Sequence, residues 1–179
     1  MKTAVLIGGI SRNSLNHRFF DEVARLNRTS LDFEVADIAA LPFFSQDIEN
    51  DPPASVLKFK KLITSSEAVL IVTPEYNRSM PGVLKNALDW ASRPAGQNLW
   101  AGKPTAIMGA ATGAIGTFGA QQHLRQVCVQ LDMPVMNQPT VYFNSASGMD
   151  AEGHLTDRSA EFLTKFLTAF EQWAHVINH

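Results

Sequence analysis

Short apolar runs alternate with longer amphipathic stretches along the whole chain. Five runs read as strands: Thr3 to Gly8, Phe33 to Ile38, Ala68 to Thr73, Thr105 to Ala110 and Val135 to Phe143. The first, third and fourth are almost continuously apolar, as strands covered by helices on both faces must be. The second is more polar and alternates. The fifth is interrupted at Asn137-Gln138-Pro139. Proline offers no ladder donor, so this strand is expected at a sheet edge.

The stretches between the runs carry a helical period. Phe19, Phe20, Val23 and Leu26 mark one face of the first helix, and Ala120, Leu124, Val127, Cys128 and Leu131 one face of the fourth. Phe162, Leu163, Phe166, Leu167, Phe170, Trp173, Ala174 and Ile177 do so in the last. Such alternation predicts one α/β domain over residues 1–179, a doubly wound five-stranded parallel sheet of order 2-1-3-4-5 with helices on both faces. No internal repeat, low-complexity tract or linker interrupts it. The longest irregular stretch, Pro42 to Pro53, is long enough to be either functional or disordered. In the third helix, Val83, Leu84, Ala87, Leu88, Trp90 and Ala91 spread over a broad arc. That width predicts a second buried face, which is either a subunit interface, making a homodimer or homotetramer, or a large internal contact.

Composition narrows the class. Of 179 residues, 45% are hydrophobic and 18% charged, which is ordinary for a globular chain. The formal net charge of -2 provides no basic excess with which to neutralise phosphates, so no nucleic-acid partner is expected. The apolar run Ala4 to Ile7 is too short for a signal-peptide core or a bilayer span, so no membrane partner is expected. Cys128 is the one cysteine and lies in a helical apolar pattern, which reads as a small core residue rather than a nucleophile. A cytoplasmic location is the expectation. His175 and His179 are four apart near the end of the last helix but have no third ligand close in sequence, so no metal site is expected.

In this architecture a ligand sits at the carboxyl ends of the strands, near the switch point between strands one and three. Three loops meet there. The first, Gly8-Gly9-Ile10-Ser11-Arg12-Asn13-Ser14-Leu15-Asn16, is neither a P-loop nor a dinucleotide fingerprint. It is crowded with short hydrogen-bonding side chains and one guanidinium before a helix start, as a phosphate monoester requires. Ser11, Ser14 and Asn16 can donate, and Arg12 supplies charge. A plain N-cap by Ser14 or Asn13 would account for one of these residues, not for four in six. The second loop, Thr73 to Gly82, is stiffened by Pro74, and Pro81 suits a helix start. It could present N–H groups to a heterocycle edge and the Tyr76 ring to its face, or be an ordinary surface turn. Arg78 beside it could guide an anionic substrate or be a plain surface residue. The third loop, Gly109 to Gly119, is rich in glycine and alanine, and such a backbone can approach a flat ring closely.

Taken together the loops resemble the NADPH-dependent FMN reductase family, which includes flavodoxin-like quinone, azo-dye and chromate reductases. The most specific match is Pro74-Glu75-Tyr76-Asn77-x-Ser79-x-Pro81-Gly82-x-Leu84-Lys85-Asn86-Ala87-Leu88-Asp89-Trp90, continuing to Ser92-Arg93-Pro94. Gly119 to Gln126 is similar too, as is the order of elements. The resemblance implies a flavodoxin-like fold and an FMN cofactor. It also implies that Ser11, Arg12, Ser14 and Asn16 hold the FMN phosphate, that Pro74, Glu75, Tyr76 and Asn77 line the ribityl chain and ring, and that Ala111, Thr112 and Gly113 meet the ring's other edge. The first loop departs from the family pattern Gly-Ser-x-Arg-x-x-Ser-x-Asn. Gly9 stands where the serine belongs, Ser11 where the arginine belongs, and Arg12 is one place late. The implied activity is ping-pong electron transfer from NADPH or NADH through FMN to a small acceptor such as a quinone, azo compound, chromate or free flavin. The chemistry then resides on the flavin, with no catalytic side chain. A flavodoxin-type electron carrier and a flavin-responsive interaction module are the alternatives. Carriers of that type tend to be strongly acidic, which a charge of -2 is not.

Overall fold

The parallel ladder closes through pairs such as Val5 with Leu70 and Ile71 with Ile107. In a computed structural model describing all 179 residues, strands β1 (Lys2–Ile7), β2 (Asp32–Val35), β3 (Ala68–Val72), β4 (Thr105–Ala111) and β5 (Val141–Asn144) form one sheet. Its order is β2-β1-β3-β4-β5 and every pair is parallel, the expected flavodoxin-like arrangement. Helices α1 (Leu15–Arg25), α2 (Ala54–Ser65), α3 (Gly82–Ala91), α4 (Phe118–Gln130) and α6 (Asp157–Asn178) connect and cover the strands, with a single turn α5 (Ser145–Gly148) after β5.

Alternation along each inner strand divides the core in two. Ala4, Leu6, Val69, Ile71 and Ile107 point to the face covered by α2, α3 and α4. Val5, Ile7, Leu70, Val72, Met108 and Ala110 point to the face covered by α1 and α6. Both sets are buried, which explains why runs one, three and four are continuously apolar. Phe19, Phe166 and Phe170 fill the second core, and Cys128 lies fully buried in the first.

Two strands are shorter than their apolar runs. β2 stops at Val35, and Ile38 begins a 3-10 turn capped by Asp37. The fifth run contributes only Val141–Asn144 as a strand. Val135 makes one isolated bridge to Thr105, because Pro139 interrupts pairing between there and β5. β5 does lie at the edge.

The wide apolar arc of α3 has an internal cause. Leu84, Ala87, Leu88, Trp90 and Ala91 are all buried within the chain itself. Segment 42–53 folds over the helix, and its 3-10 turn Gln46–Ile48 leaves it far from disordered. Asn86 Oδ1 accepts from Phe44 N at 2.8 Å, while Asn86 Nδ2 and Trp90 Nε1 both donate to Pro42 O, at 2.9 and 2.8 Å. Phe44 packs edge-on against Trp90, and Arg93 pairs with Glu49 at 2.9 Å. Asn86→Ala strips the Phe44 amide of its acceptor, so a loss of about 1–3 kcal/mol is expected in urea unfolding. Proteolysis within segment 42–53 should quicken in parallel, and an unchanged midpoint would show that the segment holds without this residue.

Candidate functional site

The loop after β1 begins where the sheet ends. Gly8 N donates to Val72 O at 2.9 Å, the last rung between β1 and β3. Beyond it, none of the amides from Gly9 to Asn13 has a backbone acceptor. Ser11, Arg12 and Asn13 are exposed. An arc of free N–H groups before a helix, beside a guanidinium and a hydroxyl, fits a phosphate monoester such as that of FMN.

Ser14 is the N-cap of α1: its Oγ accepts from His17 N at 3.3 Å. That cap explains the departure at Gly9. A Cβ there would overlap Ser14 Oγ, so a serine could enter only by dislodging the cap. Asn16 is buried and largely committed elsewhere. Its Nδ2 donates to Ala110 O and its Oδ1 accepts from Ala110 N, both at 2.9 Å. The carboxamide acts as a peptide unit laid against β4, and one Nδ2 hydrogen is left for another acceptor.

The loop after β3 is a tight hairpin. Tyr76 and Ser79 exchange both backbone hydrogen bonds at 2.9 Å, with Asn77 and Arg78 between them at φ 50 and 64. Two left-handed residues suit a two-residue connection. Outside glycine they cost roughly 1–2 kcal/mol each, strain of a kind that gathers at functional sites. The Tyr76 ring is half exposed. Glu75 turns inward, with Oε2 accepting from Ala120 N at 3.1 Å. Arg78 donates to Glu75 Oε1 at 3.2 Å while its side chain stays 74% exposed.

In the loop after β4, Ala111 ends the strand and Thr112 to Ile115 are exposed. Phe118 at the start of α4 packs edge-on against Tyr142. Exposed Ile10, Tyr76, Ile115 and Phe118 give the three loops an apolar fringe. The structure thus gathers all the expected site residues on the carboxyl edge of the sheet. It turns two of them, Asn16 and Glu75, toward their neighbouring loops. Sequence reading missed the partners, Ala110 and Ala120, because a backbone amide has no side chain to signal it. His123, whose Nδ1 lies 2.9 Å from Ser79 Oγ, was missed as well.

A doubly wound sheet with a phosphate-type cradle at its switch point defines a flavodoxin-like nucleotide-binding protein. Residues 1–148 match the family model of the NADPH-dependent FMN reductases, and the chain belongs to that family. A 2-hydroxy-1,4-benzoquinone reductase from Burkholderia sp is 47% identical over 175 residues, 97% of this chain and 96% of that protein. An NAD(P)H-dependent FMN reductase from Pseudomonas aeruginosa is 42% identical, covering 97% of this chain and 95% of its own. Among solved structures, the flavoenzyme NAD(P)H:(acceptor) oxidoreductase FerB from Paracoccus denitrificans superposes with a TM-score of 0.91 at 41% identity, over 98% and 97% of the two chains. The chain is accordingly an NAD(P)H-dependent FMN reductase, with FMN as cofactor and a reduced nicotinamide nucleotide as co-substrate. FMN supplies the redox chemistry when bound, and the protein supplies binding and orientation. No helix is long and apolar enough to cross a membrane.

Two outcomes follow from this geometry. Asn16→Ala leaves a buried N–H and C=O of Ala110 without partners, so a stability loss of about 2–4 kcal/mol is expected by denaturant titration. A loss below 0.5 kcal/mol would mean that β4 closes without the tie. Burial pushes the Cys128 thiol up to about 12, against a smaller opposing pull from Arg125. The folded protein should therefore resist a thiol reagent at pH 8 and label fully in denaturant. Rapid labelling of the native form would contradict the buried position.

Proposed function

We propose that the chain reduces quinones by ping-pong turnover at one flavin site, within a single FMN-binding domain spanning residues 1–179. The carrying observation is the arc of amides from Gly9 to Asn13 without backbone acceptors, at the start of α1 and flanked by Ser11 and Arg12. In this reading Ser11, Arg12, Ser14 and the spare N–H of Asn16 hold the FMN phosphate. Pro74, Glu75, Tyr76 and Asn77 border the ribityl chain and ring on one side, and Ala111, Thr112 and Gly113 on the other. The exposed apolar fringe of Ile10, Tyr76, Ile115 and Phe118 favours a flat, mostly apolar acceptor over chromate. Relatives named for quinone and benzoquinone reduction support the same choice. Azo compounds and free flavin are flat enough to compete.

One open face serves the nucleotide and the acceptor in turn, as ping-pong turnover at a single flavin requires. No side-chain acid or nucleophile is required. Backbone amides of the loops stabilise negative charge that develops on the bound group. A homodimer is the proposed assembly, and any interface must lie on surfaces other than the arc of α3 that segment 42–53 covers. The demand for NAD(P)H suits a cytoplasmic setting.

Steady-state kinetics with a benzoquinone and each nucleotide test the scheme. Parallel double-reciprocal lines are expected, and intersecting lines would mean a ternary complex. Arg12→Ala should weaken FMN binding about tenfold or more by fluorescence titration, the loss of one charge-assisted phosphate contact. Unchanged affinity would remove Arg12 from the phosphate site.

A further inference from the structure

Helix α4 lacks a cap of its own. The Thr117 side chain makes no hydrogen bond to the first helical turn, and its Oγ1 instead accepts from Gln121 Nε2 at 2.9 Å. The free amide of Ala120 is satisfied from outside the helix, by Glu75 Oε2 at 3.1 Å. The Glu75 side chain is 9% exposed, so a nearly buried carboxylate sits at the positive end of α4. Its other oxygen takes the hydrogen bond from Arg78, the strained residue of the hairpin.

Close packing surrounds this contact. A Cβ on Gly119 would lie 2.9 Å from Arg78 O and 3.1 Å from Glu75 Oε2, so only glycine lets the hairpin rest on the helix. At the other end of the hairpin, Ser79 Oγ meets His123 Nδ1, one turn further along α4. The hairpin carrying Tyr76 and Asn77 therefore touches α4 at three points, and the Glu75 contact is the one made by a carboxylate to the helix backbone, more buried than the Ser79–His123 contact.

We propose that Glu75 is a positioning residue. It caps α4 from the neighbouring loop, and so fixes the Tyr76–Ser79 hairpin against the loop after β4, making the two sides of the flavin site one rigid body. The proposal rests on the reading above that this hairpin borders the flavin. Glu75 itself transfers no proton or electron. Its neutral isostere can still accept from Ala120 N, whereas alanine cannot.

The test compares wild-type holoenzyme with Glu75→Ala and Glu75→Gln. Amide hydrogen exchange is read at residues 76–79 and 118–121, together with FMN affinity and the steady-state constants for NADPH and a benzoquinone. In Glu75→Ala, exchange in both segments should quicken at least tenfold. The KM for the benzoquinone should rise at least fivefold with kcat within twofold. Glu75→Gln should restore KM to within twofold of wild type. Unchanged exchange in Glu75→Ala would overturn the positioning role. A glutamine variant as impaired as the alanine one would overturn it too, by assigning the effect to charge. Faster exchange with unaltered FMN affinity and KM would show instead that the hairpin does not border the flavin, and the reading of the site would fail. Should Glu75→Ala not fold, Gly119→Ala displaces the hairpin while keeping the carboxylate. It should show the same rise in KM, and a wild-type KM would count against the proposal.

Discussion

A parallel sheet whose strands end at different heights leaves backbone groups without partners, and the functional edge of this protein is built on that constraint. β3 departs at Thr73, where its amide makes a last bond to Met108 O, while β4 continues to Ala111. The N–H and C=O of Ala110 then face the gap. Asn16 fills it with a carboxamide that reproduces both bonds of a missing peptide. An unpaired buried backbone group is costly enough that such a gap must be closed. Closing it with a side chain from the first turn of α1 fastens the loop after β1 to the end of β4.

The same strand-and-helix unit receives the loop after β3. Glu75 meets the first turn of α4, and α4 follows β4 through a short loop. All three loops are thus referred to one unit, β4 with α4. Ties of this kind preorganise the edge, and they hold a left-handed Asn77-Arg78 turn that free chains avoid. The rigid edge sits on a core divided evenly between two faces, which accounts for the three continuously apolar inner strands.

Much of this was legible in the chain. Strand order, the two-sided sheet and the three loops followed from apolar periodicity and loop composition. The family followed from the run Pro74 to Pro94. The extent of the fifth strand was overestimated, since Val135 and Val141 look alike in pattern and only Pro139 signals the break. The breadth of α3 was visible as an apolar arc. Its covering by Pro42, Phe44 and Glu49 was not, because a contact across more than 40 residues leaves no local periodicity.

By itself the sequence determined which residues face a core, which loops carry donors, and to which family the chain belongs, because these are properties of residue type and short-range spacing. Tertiary structure alone decided what the long-range polar side chains do. It made Asn16 a stand-in for a strand, and it brought Gly9 so close to Ser14, a cap candidate already by its spacing, that a serine at position 9 is excluded. It made Glu75 the cap of a helix 45 residues away. The reason is physical: a hydrogen-bonding side chain takes whichever unpaired backbone group the fold brings within 3 Å or so, and the chain positions that meet there are set by the sheet, not by their neighbours in sequence.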